Sequence, residues 1–398
     1  MKIPNKILKA LDSNAKSESC AVLATLVDWR QAFPRQCPIL GIQSFIQNGV
    51  RPALIPMLMN YFQGRKMKVK WHGEISKARE LKGGGPQGST FGIWEYLSQS
   101  NDNADCIDES ERFKFVDDLT FLEVIYLLNV GLSSYNVRQH VPSHIPTHNQ
   151  VISSENLKSQ HQLKIINDWT KKKIMKLNEK NTQNMIFNFS KKFQFTTNMS
   201  VNSKPLDIVR ETKLLGTYIT DDLKWNKNTS EIVKKAYQRI QLLNRASGFS
   251  SSKHDLKQIY LIFVRSILEQ SAVVWHSGLT ARNSRDLERV QKVAVKIILG
   301  KSYDNYSDGL KSLKLDSLKK RREKICLKFA KNCIQNDKVR NMFPRNKKKH
   351  GMKTRSPNVF QIQKTKTKRY KKSAIPYMVS LLNKDALKNK KLINTVEK

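Results

Sequence analysis

The sequence predicts an α+β protein in which a sheet-forming front part precedes a helical middle and a basic tail. Two observations favour strands in the front part. One is an apolar run at residues 21–27, and the other is an apolar segment at residues 112–122 that two adjacent aspartates interrupt. From Thr229 onward, apolar residues recur at helical spacing instead. Strand signals followed by helix signals are typical of α+β proteins.

The elements between these landmarks follow from local patterns. Residues 41–62 predict helical segments that glycine and proline punctuate. Residues 65–81 alternate in polarity and turn at His72-Gly73, which predicts a hairpin. A glycine cluster at residues 83–88 leads into a predicted helix over residues 91–97.

The stretch from residue 133 to residue 154 is polar, and we expect a loop there. His140, His144 and His148 have i, i+4 spacing, but the intervening prolines forbid a regular helix, so a loop is favoured over a metal site. Beyond it we expect a helix at residues 159–175, a strand at 184–189, an extended segment at 212–219 and helices at 259–274 and 287–299.

The charge of the chain narrows the class of partner. Lysine and arginine number 72 against 33 aspartates and glutamates, so the net charge is +39 and the pI is near 10. Such an excess repels itself unless a polyanion is bound, which makes nucleic acid the expected partner. An anionic membrane is the alternative, but we find no basic amphipathic helix with a broad apolar face.

The cysteines and the apolar runs bear on the compartment. The cysteines are odd in number and lack a CxxC pair or a zinc spacing, so we expect free thiols at Cys20, Cys37, Cys106, Cys326 and Cys333. The amino terminus has no apolar signal core, and no apolar run reaches membrane-spanning length. By elimination, we expect the nucleus or the cytoplasm and no membrane partner.

Three carboxylates are the candidate functional residues. Asp117 and Asp118 interrupt an apolar segment as if two strands met at a turn that carries them, and Asp28 ends the apolar run at residues 21–27. Taken alone, such a pair is more often a solvated turn, because aspartate favours turns. Carboxylates that converge repel one another unless a cation lies between them. Because Mg²⁺ prefers oxygen ligands, the three together predict a magnesium site for phosphoryl chemistry.

In their order and spacing these segments resemble the palm of reverse transcriptases, in particular those of jockey-like non-LTR retrotransposons. The matching motifs are residues 27–33 (VDWRQAF), 84–88 (GGPQG), 115–118 (FVDD), 177–187 and 214–216 (LLG). The resemblance implies a polymerase palm, an antiparallel sheet with packed helices, followed by a helical thumb and a basic, helical and partly disordered C-terminal region. It divides the chain into a leader (1–19), a palm (20–225), a thumb-like region (226–300) and a basic region (301–398).

The resemblance implies an RNA-directed DNA polymerase that uses Mg²⁺ to add deoxynucleoside triphosphates to a primer 3′-hydroxyl. Its partners would be an RNA template and a DNA primer. By motif position, the catalytic and metal-binding carboxylates are Asp28, Asp117 and Asp118. At the positions of the family's nucleotide pocket this sequence has Phe33, Gln87 and Gly88. At the turn that grips the primer it has Leu215 and Gly216.

The sequence also departs from the family pattern. Pro34 stands where the family usually has aspartate, and Asn181, next to Lys180, stands where it has lysine. The chain starts just before the first motif, so we expect the fingers and an endonuclease domain to be absent. The alternative is therefore an inactive truncated remnant that only binds nucleic acid. An intron maturase is a weaker alternative, and the jockey-like spacing after Gly88 argues against it.

Overall fold

The structure, a computed structural model, describes residues 1–14, 20–81, 83–86, 88–126, 148–190, 193–249, 251–346 and 359–396. The chain forms two compact units. The first, which we call the sheet unit, is Glu18–Arg210. The second, the helical unit, consists of Met1–Ser17 together with Glu211–Lys398. The mixture of a sheet with helices and a mostly helical C-terminal part confirms the predicted α+β class.

A five-stranded sheet forms the centre of the sheet unit. The order of its strands is Asp207–Ile208, Gln183–Phe187, Cys20–Val27, Asp118–Tyr126 and Arg112–Phe115. The outermost strand, Asp207–Ile208, runs parallel to its neighbour, whereas the other pairs are antiparallel. The expectation of a purely antiparallel sheet is therefore wrong at this edge, where the chain returns by way of residues 188–206 instead of by a tight turn.

Cys20–Val27 is the strand that the apolar run predicts, and it lies in the middle of the sheet. All of its residues except Leu26 are buried, because helices cover the sheet and neighbouring strands flank it on both edges. Unlike an edge strand, it has no polar alternation, which explains why its sequence is a continuous apolar run.

Helices supply the rest of the core of the sheet unit. Their bounds are Pro38–Gln47, Ile55–Phe62, Thr90–Gln99 and Lys158–Lys172. Leu163 and Ile166 of the last helix and Tyr96 of Thr90–Gln99 pack in one cluster with Leu23 and Phe121 of the sheet. The predicted helices at residues 41–62, 91–97 and 159–175 are thus confirmed, with ends that shift by a few residues.

Several two-stranded sheets complete the unit. The predicted hairpin at residues 65–81 is confirmed by the pairs Lys66–Met67 with Arg79–Glu80 and Lys70–Trp71 with Glu74–Ile75. Ser200–Val201 pairs with Lys204–Pro205. His148–Ile152 pairs in parallel with Phe193–Thr197, so the predicted loop is wrong for residues 148–152. Residues 133–147, with His140 and His144, lie outside the described residues.

The helical unit begins with the hairpin Glu211–Leu214 and Thr217–Thr220. The helices that follow confirm the predicted helical region, and within the described part of the chain none has the length and apolar character to cross a bilayer. Their bounds are Asn226–Ser247, Lys253–Ile259, Tyr260–Arg265 (a π-helix), Ser266–Glu269, Ala272–Trp275, Ala281–Leu299, Tyr306–Ser312, Leu318–Gln335, Lys368–Lys371 and Ala374–Val396. The five cysteines are free, as predicted.

The basic C-terminal region has a core of its own. Leu318–Gln335 turns Cys326, Ala330 and Cys333 inward at helical spacing, and they pack on Met378 and Leu382 of Ala374–Val396. The lysines of this region lie around that core, so a strongly basic sequence still folds as packed helices in its described part.

The N-terminal segment, predicted as a leader, forms the helix Lys2–Ser13 within the helical unit. Its Asp12 side chain is only 4% exposed. The Asp12 carboxylate accepts hydrogen bonds from the backbone N–H groups of Lys366, at 3.1 and 3.0 Å, and of Thr367, at 2.6 Å. The hydroxyl of Thr367 donates a further one at 2.7 Å. One buried carboxylate therefore ties the first helix to the segment before Lys368–Lys371.

We expect Asp12→Ala to lower the free energy of unfolding by about 2 kcal/mol, because hydrogen bonds to a buried charged group are lost and their donors stay buried. Urea unfolding monitored by circular dichroism measures this. Asp337→Ala is the control, since Asp337 is 83% exposed in a surface ion pair with Arg340 and should cost less than about 0.5 kcal/mol. Equal losses in the two variants would contradict the tethering role of Asp12.

Candidate active site at the acidic turn

The two adjacent aspartates lie at a tight turn, as the sequence predicts. Phe115 pairs with Asp118, so only Val116 and Asp117 form the loop between the two strands. Val116 has a φ of 55°, a backbone conformation that a β-branched residue rarely adopts. Strained residues of this kind persist where the surrounding structure holds them in place, and they are concentrated at functional sites.

Asp28 lies beside this turn, at the end of the neighbouring strand Cys20–Val27. Cys20 pairs with Tyr126 and Val27 with Leu119 in one unbroken antiparallel register. Continued by one residue, that register sets Asp28 opposite Asp118. Partial burial raises the pKa of the Asp118 carboxyl, and the negative charges of Asp117 and Asp28 raise it further. The structure thus brings the three predicted carboxylates into electrostatic reach of one another.

A turn after the helix Lys158–Lys172 holds Asp28 in place. The side-chain amide of Asn178 donates to Oδ2 of Asp28 at 2.8 Å, and the backbone N–H of Asn178 donates to the Asp28 carbonyl, also at 2.8 Å. The hydroxyl of Thr182 accepts from the backbone N–H of Asp28 at 3.2 Å. The sequence did not single out Asn178 or Thr182, although both belong to the segment that resembles the fourth motif.

The donor set suits a hard divalent cation. Asp117 and Asp118 are exposed and Asp28 is half-buried, so their oxygens are accessible. Oxygen ligands in small number, with water and phosphate completing the shell, are what Mg²⁺ requires. Among the described residues, no set of three or more His, Cys, Asp or Glu side chains forms a group that could hold a metal ion. The carboxylate oxygens thus fit Mg²⁺ in chemistry, whereas the three side chains do not form such a group in the described structure.

The glycine segment, residues 83–88, packs on the backbone that follows Asp28. The N–H groups of Gly84 and Gly85 donate to the carbonyls of Gln36, at 2.8 Å, and Phe33, at 2.9 Å. Phe33 in turn packs its ring on Tyr96, with centroids 5.0 Å apart. The structure therefore joins two segments that are predicted to form the nucleotide pocket. Gln87 lies outside the described residues, and Gly88 is exposed.

The helix Thr90–Gln99 anchors the other end of the glycine segment. The hydroxyl of Ser89 caps this helix by accepting from the Gly92 N–H at 3.1 Å, and it donates to the carbonyl of Pro86 at 2.8 Å. A Cβ at Gly92 would lie 2.3 Å from that same carbonyl oxygen. Glycine is required at this position because the backbone of the glycine segment approaches so closely.

A buried polar pair lies beneath the glycine segment. Glu95 and Gln36 are 0% and 2% exposed, and none of the side-chain N and O atoms of either has a hydrogen-bond partner among the described residues. A Cβ at Gly85 would lie 1.7 Å from Oε1 of Gln36 and 3.1 Å from Oε2 of Glu95. Burial raises the pKa of Glu95 to about 7, against the opposing charge of Arg65. Neither residue carries a motif signal, so the sequence reasoning missed both.

The residues predicted to grip the primer lie in the helical unit, at the turn between Glu211–Leu214 and Thr217–Thr220. Leu215 and Gly216 have φ values of 46° and 80°, as a two-residue hairpin turn requires. The side chain of Leu215 is 53% exposed and is therefore accessible for contact. Pro34 and Asn181, which differ from the resembling family's pattern, are exposed, and so is Lys180 beside Asn181.

Because its folded-state pKa is raised above that of the unfolded chain, Glu95 contributes stability that is present below about pH 4.5 and lost as pH rises through about 7. We expect the wild-type free energy of unfolding to fall by about 2–3 kcal/mol between pH 5 and pH 8.5 through this group. Glu95→Gln should remove that part of the pH dependence, as measured by urea unfolding. The exposed Glu109→Gln should keep it, and an unchanged slope in Glu95→Gln would contradict the assignment.

Comparisons with known proteins add one partial match. No family model matches the sequence. A protein of Drosophila melanogaster described as "Probable RNA-directed DNA polymerase from transposon X-element" is 34% identical over 101 residues. The match covers 25% of this chain and only 10% of that relative. The chain thus has a distant, partial similarity to a protein described as a transposon RNA-directed DNA polymerase.

Proposed function

We propose that this protein is an RNA-directed DNA polymerase that extends a DNA primer on an RNA template with deoxynucleoside triphosphates. The observation that carries the proposal is the register of the central sheet, which, continued by one residue, aligns Asp28 with Asp118 beside the turn of Val116 and Asp117. The partial similarity to a transposon polymerase and the net charge of +39 support it independently.

The proposed reaction is a nucleotidyl transfer. The primer 3′-hydroxyl gives up its proton to water, and its oxygen attacks the α-phosphorus of the triphosphate. A new P–O bond forms, the bond from the α-phosphorus to the oxygen that bridges it to the β-phosphorus breaks, and pyrophosphate leaves. Mg²⁺, when bound, supplies the positive charge that activates the hydroxyl and neutralises the triphosphate. Asp28, Asp117 and Asp118 would hold it, and Asn178 would keep the Asp28 carboxylate oriented through the bond at 2.8 Å.

The other site residues would position the nucleotide. Phe33, packed on Tyr96, would present a rigid ring to the incoming sugar, and the glycine segment with Gln87 and Gly88 would border the base. Leu215 and Gly216 would contact the primer end. Positioning accounts for much of the catalysis of phosphoryl transfer, because the reacting atoms must be brought in line.

A second candidate function is nucleic-acid binding without turnover. One observation in its favour is that the described carboxylates do not form a group that could hold a metal ion. The other is that Pro34 and Asn181 stand where the resembling family has aspartate and lysine. Under this alternative, affinity for nucleic acid falls steeply with salt while no nucleotide is incorporated.

We expect the purified chain to extend a DNA primer on an RNA template in the presence of Mg²⁺. Asp117→Asn should lower the incorporation rate at least about a hundredfold, since it removes a charge on which the metal depends. Glu109→Gln is the matched control, because it removes one negative charge from a side chain that is 91% exposed in the same unit. Gel-resolved primer extension measures both.

The polymerase function is supported if wild type and Glu109→Gln incorporate nucleotides and Asp117→Asn does not. If the folded wild-type chain binds the primer–template and incorporates nothing, the second candidate replaces the first. Equal incorporation by Asp117→Asn and wild type would contradict the assigned role of the acidic turn.

A further inference from the structure

The hairpin at residues 65–81, which we call the basic ribbon, has no core on either face. Every residue from 66 to 80 is exposed. Its turn, His72-Gly73, has φ values of 47° and 91°, and Val69 and Ser76 hold the strands together through two hydrogen bonds of 2.9 Å. A lone two-stranded ribbon is only marginally stable in water, so its exposure points to contact with a partner.

Lysines and apolar residues alternate along the first arm of the ribbon, residues 66–71, of which Lys66–Met67 and Lys70–Trp71 are paired strand segments. The second arm sets Glu80 and Ile75 opposite the two paired lysines, and Arg79 and Glu74 opposite Met67 and Trp71. The apolar side chains of the first arm are nevertheless 50%, 56% and 73% exposed, namely Met67, Val69 and Trp71. Contiguous exposed apolar side chains of this kind mark interaction sites.

The charge of the ribbon selects the partner. Residues 65–81 contain six lysines and arginines and two glutamates. Glu80 lies opposite Lys66 in the strand register. Even so, no lysine of the ribbon forms an ion pair with a carboxylate among the described residues. Alternate residues of a strand are about 6.8 Å apart, a spacing close to that of successive phosphates in an extended single strand. A second copy of the chain would instead bring lysines against lysines.

We propose that the basic ribbon grips single-stranded nucleic acid, with Lys66, Lys68 and Lys70 on successive phosphates and Trp71 stacked on a base. A row of cations that follows the backbone, joined to an aromatic surface for the bases, is how proteins bind single strands without sequence preference. The inference rests on the nucleic-acid substrates of the proposed function, since the RNA template is such a strand, but not on turnover.

The test uses fluorescence anisotropy of the full chain with labelled oligo(U) and oligo(dT) of about 20 nucleotides, over a salt series from about 50 to 300 mM. Trp71→Ala should weaken binding roughly tenfold or more without changing the salt slope, because it removes stacking and no charge. Replacing Lys66, Lys68 and Lys70 by Gln should reduce the slope by about 2, since each phosphate contact on a single strand contributes about 0.7.

The controls match each change elsewhere on the chain. Phe249→Ala removes an aromatic ring that is 82% exposed and should leave the affinity within about twofold. The control for charge replaces three exposed lysines of the helix Lys158–Lys172 by Gln, namely Lys164, Lys171 and Lys172. It removes the same charge and should leave the salt dependence of the affinity unchanged. Circular dichroism verifies folding, which these exposed substitutions should preserve.

Equal slopes in the two lysine variants would overturn the proposal in favour of general electrostatic attraction. Wild-type affinity in Trp71→Ala would also overturn it, and a change of oligomeric state in that variant would assign the ribbon to a protein interface instead. Glu109→Gln, which removes one negative charge from a 91% exposed side chain, should bind both oligonucleotides as wild type does. If the wild-type chain incorporates no nucleotide but Trp71→Ala still weakens oligonucleotide binding, the proposed function is refuted and this inference stands.

Discussion

The antiparallel pairing of Cys20–Val27 with Asp118–Tyr126 is the constraint on which the rest of the candidate site depends. A slip of one residue would turn every side chain of the strand to the opposite face and move Asp28 away from Asp118. Burial on both faces prevents such a slip, because any shifted register would expose part of a continuous apolar strand. The same packing therefore sets the fold and holds like charges together at one edge of the sheet.

The second support of the site is the contact between the glycine segment and the residues that follow Asp28. Backbone bonds from Gly84 and Gly85 bring two distant parts of the sequence together, and Glu95 and Gln36 fill the space beneath them. Buried polar groups without partners are rare, because each of them costs free energy of folding. Glu95 and Gln36 lie under the glycine segment that is proposed to border the nucleotide pocket.

Local patterns were enough to predict the strand at residues 21–27, the acidic hairpin and the helix after the glycine segment, since each carries its own periodicity and turn residues. The strand His148–Ile152 could not be predicted, because its pairing with Phe193–Thr197 depends on distant backbone. Asn178 and Glu95 were missed for a related reason. Each acts through a neighbour far along the chain, Asn178 on Asp28 and Glu95 beside Gln36, and neither contact leaves a local signal.

The central claim is that Asp28 and Asp118 belong to one cation-binding edge. The test is the affinity for Mn²⁺, which electron paramagnetic resonance measures because it reports the free ion directly. The proteins compared are wild type, Asp28→Asn, Asp118→Asn and the double variant. We expect each single substitution to weaken Mn²⁺ binding on the order of tenfold, and the double variant to bind hardly more weakly than a single one, because residues that share one ion are not additive. Mn²⁺ binding that is unchanged in both single variants, or losses that simply add, would contradict the account.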